Sequence, residues 1–250
     1  MTEPLVILAI AATFLLAGTV KGVIGLGLPS VSLGLLTATL DLTTAMALLV
    51  VPSLVTNVWQ AAVGGHGRAI LRRTWPFLLP ATATVWIGAA ALTRVDLALL
   101  SALLGALLVA YAALDLAGVR LAIAARREPW AAPLLGAANG VLAGMTGSFV
   151  VPGILYLRAI GLSREMLVQA LGILFSLSTV ALALALQGNR LLTPELGVAS
   201  AAAVIPAVAG MVAGQRVRRR LSEARFRRVF LVAMLVLGAY IIGKAALGVR

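Results

Sequence analysis

Along residues 97–114, and again along 229–242, no charged residue interrupts an apolar chain. Such runs approach the roughly 20 residues needed to cross a bilayer. The hydrocarbon core offers no water, so backbone groups must bond within their own segment, in helices or closed barrels. The runs lack the alternation over about 10 residues that marks barrel strands. They predict an all-α integral membrane protein. Composition agrees: 62% of the 250 residues are hydrophobic and 11% are charged, against about 25% charged in soluble domains.

The apolar segments fall at 5–38, 43–63, 75–93, 97–117, 132–160, 165–186, 195–214 and 229–247. Six have the length of ordinary spans. Segments 5–38 and 132–160 are too long for one span and too short for two with a turn. Both carry glycines and a proline: Gly18, Lys21, Gly22, Gly25, Gly27 and Pro29 in one, and Gly136, Asn139, Gly140, Gly144, Thr146, Gly147, Ser148 and Pro152 in the other. Glycine permits positive φ and close backbone approach, and proline removes a donor. The pattern predicts broken helices at membrane depth, tolerated where they are buried in protein or line a wet cavity.

The two segments match each other. Gly18 aligns with Gly136, Lys21 with Asn139 and Gly22 with Gly140. The helix entry at Asp41-Leu42-Thr43 answers Ser163-Arg164-Glu165 at nearly the same offset, and Tyr111 answers Tyr240. This is an internal duplication: a first repeat over 1–118 and a second over 119–250, with a basic linker at 118–131. Each repeat holds one broken, re-entrant helix pair and three transmembrane helices.

The net charge of +12 is concentrated in short connections, so positive-inside orientation explains it better than nucleic-acid binding. Arg68, Arg72 and Arg73 in loop 64–75, Arg120, Arg126 and Arg127 in the linker, and Arg216, Arg218, Arg219, Arg220, Arg225, Arg227 and Arg228 in loop 215–228 should be cytoplasmic. The span count works if each broken segment enters and returns on one side. The repeats then have opposite orientations, and both termini lie outside the cytoplasm. Inverted repeats with paired broken helices are a transporter architecture whose site lies where the breaks meet. The N-terminal segment reads as a first membrane segment, not a removable signal peptide.

Lys21 is the sharpest candidate. A cation deep in the bilayer costs on the order of 2.5–3.5 kcal/mol, so it should face a polar cavity or an anion; the plainer reading is a lysine snorkelling to the interface. Thr146 and Ser148 either coordinate an oxyanion or permit tight packing. The amides of Gly22, Gly25, Gly27, Gly144 and Gly147 are candidate donors. Asn57 and Gln169 are amides within apolar runs and candidate cavity residues, whereas hydroxyls such as Ser53, Ser178 and Thr179 more often bond helix carbonyls. Gly210 and Gly214 read as packing, Tyr111 and Tyr240 as interfacial anchors, Asp96 and Asp115 as caps or arginine partners, and His66 as a solvated loop residue. With no cysteine, one histidine and no catalytic or nucleotide-binding motif, the sequence implies neither enzyme, nor metal, nor cofactor.

The paired glycine-rich entries at 18–29 and 136–152, with the closing Gly238-Ala239-Tyr240, resemble the sulfite exporter TauE/SafE family, also called TSUP permeases. The resemblance spans nearly the whole chain. It implies secondary transport of small anions such as sulfite or organosulfonates across a bacterial or archaeal cytoplasmic membrane. Lys21 stands where many members have an apolar or small residue, and Ser148 replaces a frequent glycine. The expected partners are a small anion and membrane lipid, with no nucleic acid. A coupling proton or sodium ion and a homo-oligomer are compatible with the pattern. An anion channel, or a membrane assembly or sensory partner without transport, is the alternative.

Overall fold

The computed structural model describes residues 3–119, 121–218 and 222–248. Arg120, Arg219, Arg220 and Arg250 lie outside them. The described residues form helices and no strand: α1 (Pro4–Ile24), α2 (Leu28–Thr39), α3 (Leu42–Ala62), α4 (Gly67–Ala83), α5 (Val85–Ala89) running into a 3-10 turn (Ala90–Thr93), α6 (Leu97–Leu116), α7 (Glu128–Thr146), α8 (Gly153–Ala159), α9 (Arg164–Gly188), α10 (Pro194–Ala202), α11 (Val204–Arg218) and α12 (Glu223–Ala246). Seven helical stretches among them are long and apolar enough to cross a membrane. Leu5, Ile205 and Val236 are among many large apolar residues left exposed, as suits a lipid-facing surface.

Six of the seven match the expected spans. The seventh is α1, so the first broken segment is a span-length helix followed by the short α2, not two short helices. The second also sets a longer helix, α7, before a short one, α8, but α7 is not among the seven. The basic connections are also more helical than expected. Arg68, Arg72 and Arg73 lie in the first turns of α4, because Ile70, Thr74 and Phe77 already give that stretch a buried face. Arg216 and Arg218 end α11, and Arg225, Arg227 and Arg228 begin α12.

The chain divides into two compact units, and each draws on both sequence halves. One comprises Met1–Pro52, Leu97–Gly118 and Thr193–Arg250; the other comprises Ser53–Asp96 and Val119–Leu192. In the first, α1 packs on α11 through interlocked glycines. A methyl on Gly18 would lie 2.0 Å from the Ala207 carbonyl oxygen, and one on Gly210 would lie 2.1 Å from that of Leu15. Gly210 and Gly214 are therefore packing residues, as expected. Helices α6 and α12 meet the same way at Gly105 and Gly238, and the Arg227 guanidinium holds the Asp115 carboxylate beside them. Tyr111, expected at the interface, is 1% exposed. In the second unit α7 packs on α4 and α5: methyls on Gly140 and Gly144 would lie 2.4 and 2.1 Å from the carbonyl oxygens of Ala81 and Val85. Apolar burial gives little drive between helices in lipid, so backbones approach where side chains vanish.

The two broken segments end their long helices alike. Helix α1 ends at Gly25 (φ 78°), whose N–H donates to the Lys21 carbonyl at 2.8 Å. Helix α7 ends at Gly147 (φ 72°), whose N–H donates to the Ala143 carbonyl at 2.7 Å. Both are left-handed caps that suit glycine. The Asp41 carboxylate accepts from the Thr44 N–H and the Ser163 hydroxyl from the Met166 N–H, at the same spacing from these caps. Aligned on these caps, Lys21 stands level with Ala143 and Asn139 with Ala17, one helical turn from the sequence alignment above. Glycines at every fourth position made both registers plausible by sequence.

Candidate functional site

The first break is short. Left-handed glycines at Gly25 and Gly27 join α1 to α2, and Gly27 rests against Val20 and Phe230. Lys21, in the last turn of α1, is 4% exposed. It is the one charged residue among the described residues that is buried as a whole; the Asp115 side chain is also 8% exposed, but it is paired with Arg227. The Ser32 hydroxyl donates to the Leu28 carbonyl, and α2 receives no side-chain cap at Gly27.

The second break is longer and more polar. The Thr146 hydroxyl donates to the Leu142 carbonyl at 2.7 Å and accepts the Ser148 N–H at 3.2 Å. Its single proton is thereby used, so Thr146 shapes the break and has no donor left for a ligand. Asn139 is fully buried, and its Oδ1 accepts the Gly153 N–H at 2.8 Å, holding the start of α8. Its Nδ2 and the Ser148 hydroxyl are buried and have no hydrogen-bond partner. Orphaned buried donors are uncommon and costly. The break packs toward α9: Gly153 lies between Asn139 and Leu174, and the Phe149 and Phe175 rings are 5.8 Å apart.

Of the expected glycine amides, those of Gly25 and Gly147 are used in the caps. Gly22 and Gly144 pack closely on the Met211 and Val85 carbonyls.

A relay of hydroxyls joins α3 and α9. Asn57 Nδ2 donates to Ser53 Oγ at 2.9 Å, Ser53 Oγ lies 3.3 Å from Thr179 Oγ1, and Thr179 donates to the Phe175 carbonyl at 2.6 Å. The Thr179 proton is committed to Phe175, so Ser53 must donate to Thr179. Beside Thr179 in sequence, Ser178 is fully buried and its hydroxyl is orphaned. Gln169 stands apart from this cluster. Its Oε1 accepts the His66 N–H and its Nε2 donates to the Ala61 carbonyl, while Gln60 donates to the Val168 carbonyl. The two glutamines clamp the end of α3 to α9, and His66 is exposed at the entry of α4.

The acidic groups that do bond lie elsewhere. Glu128 pairs with Arg73, which also donates to the Ile160 carbonyl at the end of α8. Burial pushes the Asp41 carboxyl up, but bonds from the Thr43 hydroxyl and the Thr44 amide outweigh it and hold its pKa below the usual value. Among the described residues no group of histidines and carboxylates is placed to hold a metal. Sequence reasoning missed Tyr156, buried with an orphaned hydroxyl against Phe77, because a tyrosine in an apolar run carries no distinguishing pattern.

Neither a curated protein nor a solved structure matches the chain. A family model described as "Sulfite exporter TauE/SafE" matches residues 10–241. The chain is a multi-pass membrane protein that belongs to the sulfite exporter TauE/SafE family, whose members are transporters and not enzymes.

Proposed function

We propose that the protein is a secondary transporter of small oxyanions, such as sulfite or an organosulfonate, working by alternating access of inverted repeats across the cytoplasmic membrane. The observation that carries this reading is the sign of the buried polar groups among the described residues: one lysine, many neutral donors and no buried carboxylate apart from that of Asp115, which Arg227 holds. A cation in transit would find no compensating charge in such a set, whereas an anion finds charge and N–H or O–H donors. Each unit has its own candidate anion contacts: the Lys21 ammonium in the first, and Asn139 Nδ2 and Ser148 Oγ in the second.

The test is uptake of labelled sulfite and of an organosulfonate into proteoliposomes, with and without a counter-gradient of unlabelled anion. Stimulation by the counter-gradient is expected of a carrier. Flux far above carrier turnover, without counterflow, would identify a channel, and no flux of either anion would end the oxyanion reading. Orientation is tested separately. A reporter fused after Arg250 should lie outside the cytoplasm, and a cytoplasmic signal would overturn the inverted count.

A further inference from the structure

Pro52 lies inside the continuous α3 and leaves a gap in its hydrogen-bond ladder that another helix fills. Proline has no N–H, so the carbonyl four residues earlier, that of Leu48, loses its helical partner. The Ser200 hydroxyl on α10 takes that place, donating to the Leu48 carbonyl at 2.8 Å. The same hydroxyl oxygen accepts the Val51 N–H at 3.0 Å. Ser200 and Leu48 are fully buried, so water cannot substitute for the hydroxyl. Membrane helices tolerate prolines where a neighbouring hydroxyl satisfies the freed groups.

Three further observations give this joint a role beyond repair. The boundary between the compact units falls between Pro52 and Ser53, and α3 is the only described helix that crosses it. Before the joint, Ala45 to Val50 are all buried and apolar; directly after it come Ser53, Thr56 and Asn57, buried and polar. The duplicated span α9 runs unbroken from Arg164 to Gly188 without proline, so the joint is not a requirement of the repeat.

We infer that α3 bends at Pro52 during the transport cycle, and that Ser200 is the positioning residue that sets the joint. Bending there redirects the Ser53–Asn57 stripe without unpacking the apolar half of the helix. The inference rests on the protein being a transporter, but its structural core does not need a substrate.

The experiment combines Ser200→Ala, Ser200→Thr, Pro52→Ala and the Pro52→Ala/Ser200→Ala double variant, each purified and reconstituted. Hydrogen exchange over residues 47–55 is followed without substrate, alongside sulfite turnover and sulfite affinity. Ser200→Ala should speed exchange and lower the Tm, and Ser200→Thr should restore both. Pro52→Ala returns a backbone N–H that can reach the Leu48 carbonyl, so in that background loss of the hydroxyl should matter little. Pro52→Ala should keep sulfite affinity within about twofold and slow turnover by about tenfold, as expected when a conformational step limits the rate. Wild-type turnover in Pro52→Ala overturns the bending role. Exchange over 47–55 that Ser200→Ala leaves unchanged overturns the assignment of Ser200. Absence of anion flux in wild type, with the exchange results as expected, would count against the transport reading and leave the Ser200 joint standing.

Discussion

The two glycine breaks share a frame and differ in contents. Each begins with a long helix that ends on a left-handed glycine, Gly25 or Gly147, bonded to the carbonyl four residues back. Each long helix presses glycines against backbone carbonyls of a neighbour. Beyond the caps they part. The first closes within Gly25, Leu26 and Gly27 and carries one charged side chain, Lys21. The second is longer, from Gly147 to Pro152, and carries Asn139, Thr146 and Ser148, two of them with orphaned donors. The shared part is packing geometry. The unshared part holds the buried polar side chains by which we propose that an anion is recognised.

The shared part should fail equally in both copies. Gly18→Ala and Gly140→Ala each drive a methyl into a backbone oxygen, which side-chain repacking cannot relieve. Each should cost about 1–3 kcal/mol or more, read as a lowered Tm in detergent; tolerance in one copy only would break the equivalence. Gly25→Ala and Gly147→Ala come next, at about 1–2 kcal/mol each for left-handed backbone, in the same assay. The helix-entry caps should then differ with pH. Ser163→Ala and Asp41→Ala each lose a bond to an amide worth about 1 kcal/mol. Asp41 has a lowered folded-state pKa, so its contribution is complete above the unfolded carboxylate pKa and fades as pH falls through the folded value. The cost of Asp41→Ala should therefore shrink in acid, and that of Ser163→Ala should not. The smallest effect belongs to Ser148→Ala: removing a hydroxyl that has no partner should leave the Tm unchanged or slightly raised.

Much of the fold was legible because spans are read from unbroken hydrophobicity and breaks from glycine and proline, neither of which needs a partner. Register was not, because glycines recur every fourth residue through Gly136, Gly140 and Gly144, and only the cap at Gly147 distinguishes the alternatives. Candidate residues were legible by type but not by use. Sequence places Thr146 and Ser148 close together; only the structure has the Thr146 hydroxyl bonded to the Leu142 carbonyl while that of Ser148 has no partner. Gln169 reads by sequence as an amide in an apolar run, and only the structure shows its bonds to the His66 and Ala61 backbones. Ser200 was invisible because its importance comes from a proline far away in the chain.

The most direct test is the initial rate of sulfite uptake into proteoliposomes by wild type, Lys21→Met and Ser148→Ala, each checked for an intact Tm. Lys21→Met keeps the apolar stem and removes the charge of the first break, while Ser148→Ala removes one donor of the second. Both variants should lose about tenfold or more in rate, since each removes roughly 1.5 kcal/mol or more of charge-assisted bonding to an anion. Wild-type rates in both folded variants would contradict the assignment of anion recognition to the unshared contents of the two breaks.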